Sequence, residues 1–326
     1  MIEIIGIFLL CLTVITAIGV VRTTSLFAAV MLMGIFSLLM AAAFILLDAA
    51  DVALTEAAVG AGISTVLMLS ALALTGDRRE KPSNRPRVLS LIVVVITAGT
   101  IFYATFDKPA LGDPKAPIHQ HVTPEYFAMT RQLIDIPNVV TAVLASFRGY
   151  DTFGEVLVVF TAGIGVLFLL GTGPTTRRRR QLSSARGLKH HQPLRIGGKV
   201  VIPFIILFAF YVQFHGEYSP GGGFQAGAIF AAAVILYGLL EGERRGLAVL
   251  PPQFLLYMSA GGALLFGGVG VACMLLGGNF LDYNVLANDS VTAQQLGILI
   301  IELGVGVTVA GVLLAIYHAF AARGVQ

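Results

Sequence analysis

Two glutamates stand in segments that should be free of water. Glu56 lies in the run Val52-Ala-Leu-Thr-Glu-Ala-Ala-Val-Gly-Ala-Gly-Ile-Ser-Thr-Val-Leu-Met-Leu-Ser-Ala-Leu-Ala73, otherwise apolar or small and long enough to cross a bilayer. Glu302 lies in Leu299-Ile-Ile-Glu-Leu-Gly-Val-Gly-Val-Thr308. An ionisable side chain in hydrocarbon costs about 2.5–3.5 kcal/mol on insertion scales, so each marks a candidate path for a proton or monovalent cation. The rival for Glu56 is an interfacial carboxylate that snorkels outward. The rival for Glu302, about 14 Å into its helix and near the midplane, is a hydrogen-bonded glutamate that glues helices. Gly60, Gly62, Ser64 and Thr65 follow Glu56. Small and hydroxylated residues there permit close packing, a π-bulge or an inserted water. Asp51 precedes Glu56 at the expected outer mouth.

A second group of residues lies on the same side. Thr152-x-x-Glu155 fits a capping box, in which each side chain satisfies a free N–H of the other. Asp151 and Glu155 also fit an outer funnel for cations. Phe214-His-Gly-Glu-Tyr-Ser-Pro-Gly-Gly-Gly-Phe-Gln-Ala-Gly227 predicts a sharp turn at Pro220, Gly221, Gly222 and Gly223, which lets a partner backbone come close. Without a Gly-Lys-Ser/Thr ending, this is no phosphate loop. His215 is either a proton shuttle or a packed contact residue.

Helices must position these groups. Of the 326 residues, 56% are hydrophobic and only 12% charged, about half the charge of a soluble protein. The fold class expected is an all-α integral membrane protein. Nine spans are read, roughly 2–21, 26–47, 51–75, 88–106, 153–171, 199–214, 222–241, 254–276 and 293–320. With nine spans, seventeen Lys and Arg fall on one side and only Lys108, Lys115, Arg131 and Arg148 on the other. The positive-inside rule then places the N-terminus outside and the C-terminus in the cytoplasm. Met1-Ile-Glu-Ile-Ile has no basic start, so the first run reads as a retained helix. No Lys or Arg lies deep in a span, so buried acids lack buried cationic partners. The chain reads as part of a transport machine.

The division expected is 1–172 with five helices, 173–198 as a basic cytoplasmic linker, and 199–326 with four helices. Arg177 to Arg180 serve topology. His190-His191 lacks a third ligand nearby, so no metal is expected. Cys11 and Cys273 sit in apolar runs and read as small buried hydrophobes. Asn138-Val-Val-Thr-Ala-Val-Leu-Ala-Ser-Phe147 predicts a short surface helix with Asn138 as its N-cap.

Three of these motifs carry a family likeness. Ala50 to Ile63 resembles the MbhD-like, C-terminal part of the A-type polypeptide of Mrp antiporters. Asn138 to Glu155 resembles the MbhE-like motif that follows it. His215 to Gly227 resembles the signature of the B-type polypeptide, and Glu302 matches a position where B types tend to be acidic. The resemblance implies a fusion of the C-terminal region of MrpA with MrpB, inside a multisubunit Na⁺/H⁺ or other monovalent cation/proton antiporter. It implies a prokaryotic plasma membrane, no enzymatic activity, and no cofactor beyond the transported cation and H⁺. Partners implied are antiporter-like A and D types, small C, E, F and G types, and membrane lipid, but no nucleic acid. The MbhD/MbhE-like part is also similar to the J-type component of respiratory NADH:quinone oxidoreductase. The alternative is therefore an ion-translocating subunit of a hydrogenase-like or related oxidoreductase.

Overall fold

A computed structural model describes residues 2–75, 87–110, 112–170 and 192–321. Arg177 to Arg180, the His190-His191 pair and most of the expected linker lie outside the described residues. Among those described, nine helices are long and apolar enough to cross a membrane. They are α1 (Ile2–Arg22), α2 (Leu26–Leu46), α3, α4 (Arg87–Ala104), α5 (Gly149–Leu170), α6 (Gln192–Phe214), α7 (Gly223–Glu241), α8 (Pro252–Leu275) and α9 (Ser290–Ala321). α3 has three parts: Ala50–Thr55, a π-helical stretch Glu56–Ser64, and Thr65–Thr75. The deformable segment expected after Glu56 is thus a π-helix.

α9 is the axis of the bundle. It is packed by α8, α7, α5 and α3, and by the segment 130–147. Lipid tails are as apolar as leucine, so helices in a membrane associate mainly through close packing at small residues. Two glycine contacts show this. A Cβ on Gly223 of α7 would lie 2.0 Å from the Glu302 carbonyl oxygen, and one on Gly262 of α8 would lie 2.4 Å from the Gly304 carbonyl oxygen. No other residue type fits at such spacing. α1 packs on α2, and α2 on α3. α4 stands apart, with every side chain from Val88 to Ala104 exposed.

The loop between α8 and α9 folds back into the protein. Tyr283 is fully buried. Its hydroxyl donates to the Ala145 carbonyl at 3.0 Å, and its ring covers Gly297 of α9.

Several expectations need correction. α6 begins at Gln192, seven residues before the expected span, so the last part of the 173–198 linker is helical. The reason is that Arg195 and Lys199, one turn apart, both reach Glu241. Asn138 does cap a short helix, Val139–Ala142, but this segment is no surface element, because Thr141, Ala142 and Ala145 are buried. The capping box fails because α5 starts at Gly149, three residues before Thr152. The Thr152 hydroxyl donates instead to the Leu144 carbonyl at 2.7 Å. Cys273 is buried as expected, but Cys11 is exposed on α1.

Gly223→Ala should lower the stability of the assembled protein by at least about 1–3 kcal/mol, since the added methyl meets a backbone that cannot yield. The thermal midpoint of the detergent-solubilised complex checks this. An unchanged midpoint would contradict the backbone contact.

Candidate functional site: an acidic node at the glycine turn

The turn between α6 and α7 is held by side chains from distant parts of the chain. Asn138 does most of this. Its Oδ1 accepts from the N–H groups of Val140 and Thr141 at 3.0 and 3.3 Å. Its Nδ2 donates to the carbonyls of Gly216 and Ser219 at 3.1 and 3.2 Å, and to Asp51 Oδ1 at 3.4 Å. Its backbone N–H donates to the Glu217 carbonyl at 3.0 Å. Asp51 Oδ1 also accepts from the Gly221 N–H at 3.1 Å. Gln225 Nε2 donates to Thr55 Oγ1 at 2.7 Å. Helix α3, the 138–147 segment and the turn are therefore one hydrogen-bonded unit.

Glu302 projects under this turn. A Cβ on Gly216 would lie 3.3 Å from its Oε2, and one on Gly222 3.4 Å from its Oε1. Gly222 has φ +131°, a conformation that L side chains rarely adopt. The backbone is thereby laid against the carboxylate with no side chain between them.

Two cavities meet at Glu302. The larger, about 530 Å³, is lined by Asp51, Thr55, Glu155, Gln225 and Glu302 among others. The smaller, about 310 Å³, is lined by Gln213, Glu217, Thr292, Gln295 and Glu302 among others. Among the described residues no Lys, Arg or His lines either cavity. Glu302 thus borders Asp51 and Glu155 in one cavity and Glu217 in the other, with no basic lining residue among those described. Acids gathered without a counter-ion favour bound protons or entering cations. Burial pushes the Glu217 carboxyl above its ordinary value.

The expected site residues therefore separate. Asp51, Glu155 and Glu302 are brought to one cavity. Glu56 is not among its lining residues. Its carboxylate turns toward α2, where Glu56 Oε1 and Ser37 Oγ each lie 2.6 Å from the point a Cβ on Gly60 would occupy. It is tied to the node only through its neighbour Thr55. Asp151 leaves the expected funnel: it is exposed and paired with Arg148, Nη2 to Oδ2 at 2.5 Å. His215 is exposed, stacks on Tyr211 at 4.7 Å between ring centroids, and is not among the lining residues of either cavity. Of the turn expected to meet a partner, Gly221, Gly222 and Gly223 are buried within this chain, and only Pro220 is exposed. Gly222 and Gly223 make their close approach to Glu302 of α9, and Gly221 to the Val212 carbonyl.

Sequence reasoning passed over Glu217, Gln213, Gln225 and Glu241. The last is the most deeply buried of these. Glu241 ends α7 with its side chain 1% exposed, and it pairs with Arg195 at 2.6 Å, Lys199 at 2.7 Å and Arg245. The Glu241/Arg245 spacing, i to i+4, was a readable signal. The convergence of Arg195 and Lys199 from another helix was not.

Comparisons with known proteins give matches in both halves of the chain. The family described as a domain related to the MnhB subunit of the Na⁺/H⁺ antiporter matches residues 193–315, and the MbhD family, the D component of MBH, matches residues 11–77. The A-type polypeptide of the Na⁺/H⁺ antiporter of Alkalihalophilus pseudofirmus is 31% identical over 172 residues, half of this chain but 21% of that protein. The chain thus spans about a fifth of that relative. The mnhB2 antiporter-subunit protein of Staphylococcus aureus (strain Newman) is 35% identical over 126 residues, 36% of this chain and 89% of that protein. The structure of the Mrp complex from Dietzia sp. DQ12-45-1b contains a chain of the same fold. Its TM-score is 0.77 at 24% identity, covering 96% of this chain and 34% of that one.

Two measurements follow from the site. Glu241→Gln should destabilise the protein by about 1–3 kcal/mol, because a buried side chain loses its charge-assisted bonds to three cations that themselves stay partly in solvent. Glu241→Asp should lose less, and equal losses by thermal unfolding would refute the charge account. Glu217 has a folded-state value raised above 4.5. Its stabilising contribution is complete below that value and fades as pH rises through the raised one. Glu217→Gln should flatten this part of the stability–pH curve. A curve unchanged by the substitution would remove Glu217 as its source.

Proposed function

The chain belongs to the MnhB-related family of antiporter subunits, and on that premise we propose that it is a membrane subunit of a multisubunit Na⁺/H⁺ antiporter. The family supplies the class of machine. The contribution of this chain is argued from its own residues. What supports it most is Glu302, a carboxylate deep in the central helix that lines two cavities, whose other ionisable lining residues, among those described, are all acids. A group kept purely to glue helices has no need of open space on both flanks. Glu302 is the relay, alternately protonated and ionised. Asp51 and Glu155 form the polar approach to it through the larger cavity. Glu56, beside the π-helical stretch of α3, carries a proton on the α2 side.

The wider setting follows the same reading. The glycine turn faces outward and the basic segments lie in the cytoplasm, because seventeen of 21 Lys and Arg fall on that side. Residues 1–172 act as the C-terminal region of an A type and 199–326 as a B type, joined by the basic linker. The partners are antiporter-like A- and D-type polypeptides, with small C-, E-, F- and G-type polypeptides and lipid around them, in a prokaryotic plasma membrane. The work of this chain is ion exchange, with Na⁺ and H⁺ as cargo. Neighbouring A- and D-type polypeptides distinguish this reading from a hydrogenase-like complex.

Glu302→Gln keeps the shape and removes the titration. Exchange by the assembled complex in everted vesicles should fall about 100-fold, the lower end for a positioned proton-transfer group. Glu302→Asp should retain part of the rate. Glu56→Gln should lower exchange as well. Full exchange in assembled Glu302→Gln and Glu56→Gln complexes would end the relay assignment.

A further inference from the structure

The smaller cavity reaches Glu302 without Asp51 or Glu155 among its lining residues. Its walls come from the end of α6, the glycine turn and the first half of α9. At its rim Thr292 is exposed, and Glu217 is half-buried on the turn. At its floor is Glu302. Gln213 also lines it, 8% exposed, and the Nε2 of Gln213 has no hydrogen-bond partner among the described residues. Leaving a buried amide donor unsatisfied costs about 1–3 kcal/mol. The amide is well placed to act near the relay. Its Oε1 lies 2.5 Å from the position a Cβ on Gly306 would take, one helical turn from Glu302 on α9. Gln295 is held in place by donating to the Ile134 carbonyl at 3.0 Å.

An N–H donor seeks an oxygen and repels a cation. Much of the remaining wall is apolar: Phe214, Leu296 and Leu299. The unpaired amide N–H of Gln213 calls for an acceptor, which water supplies and Na⁺ does not. The cavity suits a short file of water, whose molecules need only a few polar partners each. We propose that this cavity is a water-filled proton route from Thr292 past Glu217 to Glu302, with Gln213 positioning the water that meets the Glu302 carboxylate. A proton passed along the water neutralises Glu302. Its release into the cavity of Asp51 and Glu155 restores the anion. The Glu302 carboxylate is thereby faced by Glu217 from the turn, Asp51 from α3 and Glu155 from α5. Gln213 is a positioning residue.

This inference rests on the relay role proposed for Glu302, and the test separates the two. The assembled complex is prepared with Cys11→Ser and Cys273→Ala, then with a single cysteine at Gln213→Cys, Thr292→Cys or Ile298→Cys. A positively charged, membrane-impermeant methanethiosulfonate reagent is added from the side of the glycine turn. Thr292→Cys and Gln213→Cys should be modified, and the buried Ile298→Cys should not. In parallel, Gln213→Leu and Glu217→Gln should each lower the maximal exchange rate about tenfold, equivalent to roughly 1.4 kcal/mol, with the apparent KM for Na⁺ unchanged. If Glu302→Gln abolishes exchange while Gln213→Leu and Glu217→Gln leave it intact, the relay stands and this route is wrong. Protection of Gln213→Cys while Thr292→Cys reacts shows a dry cavity and also overturns it. A raised KM for Na⁺ in the Gln213 and Glu217 variants makes the cavity a cation site and overturns the proton route.

Discussion

The backbone contact between Gly223 and the Glu302 carbonyl governs the arrangement. It brings the start of α7 against the middle of α9, and with it the whole glycine turn against a carboxylate. A membrane offers no aqueous pressure to force helices together, so contact distance decides which helices associate. Glycine is the only residue that leaves the required gap. Once α7 is seated, Gly222 takes its positive φ, Gly221 meets Asp51, and the carbonyls of Gly216 and Ser219 receive Asn138. The two cavities are what remains on either side of Glu302 after this seating.

Much of this was legible in the chain. Nine apolar runs give nine helices because length and hydropathy suffice for a spanning helix. Glu56, Asp51 and Glu302 stood out because charge in an apolar run is expensive. Gly60, Gly62, Ser64 and Thr65 pointed to the deformable stretch that became π-helical. Asn138 was readable as a cap because its side chain serves its own next turn. What escaped notice depends on distant segments meeting. The role of Glu241 depends on Arg195 and Lys199 arriving from α6. Gln213 matters only because α6 and α9 bring it to the cavity that Glu302 lines. Asp151 has a local partner, Arg148, three residues away, which no spacing rule in the sequence analysis had singled out. Thr152 followed a capping pattern, but α5 had already begun, and no local rule marks that earlier start.

The protein is fastened at two opposite ends by different chemistry. Near the glycine turn the ties are hydrogen bonds from uncharged donors and backbone contacts, and among the described residues no Lys, Arg or His lines the cavities of the four carboxylates. Near Glu241 the tie is ionic, with one acid collecting three bases. Cations placed around Glu302 would hold it permanently ionised. Their concentration at the far end of α7 leaves the inner carboxylates to interact with one another and with whatever enters the cavities.

α4 has a mechanical consequence of its own. A rod whose sides all face outward carries no strain into the bundle and receives none. Residues 130–147, not α4, hold the following segment to α9. α4 is thus decoupled from the acidic node, and displacing it bodily would leave the bonds of Asn138 and Asp51 undisturbed.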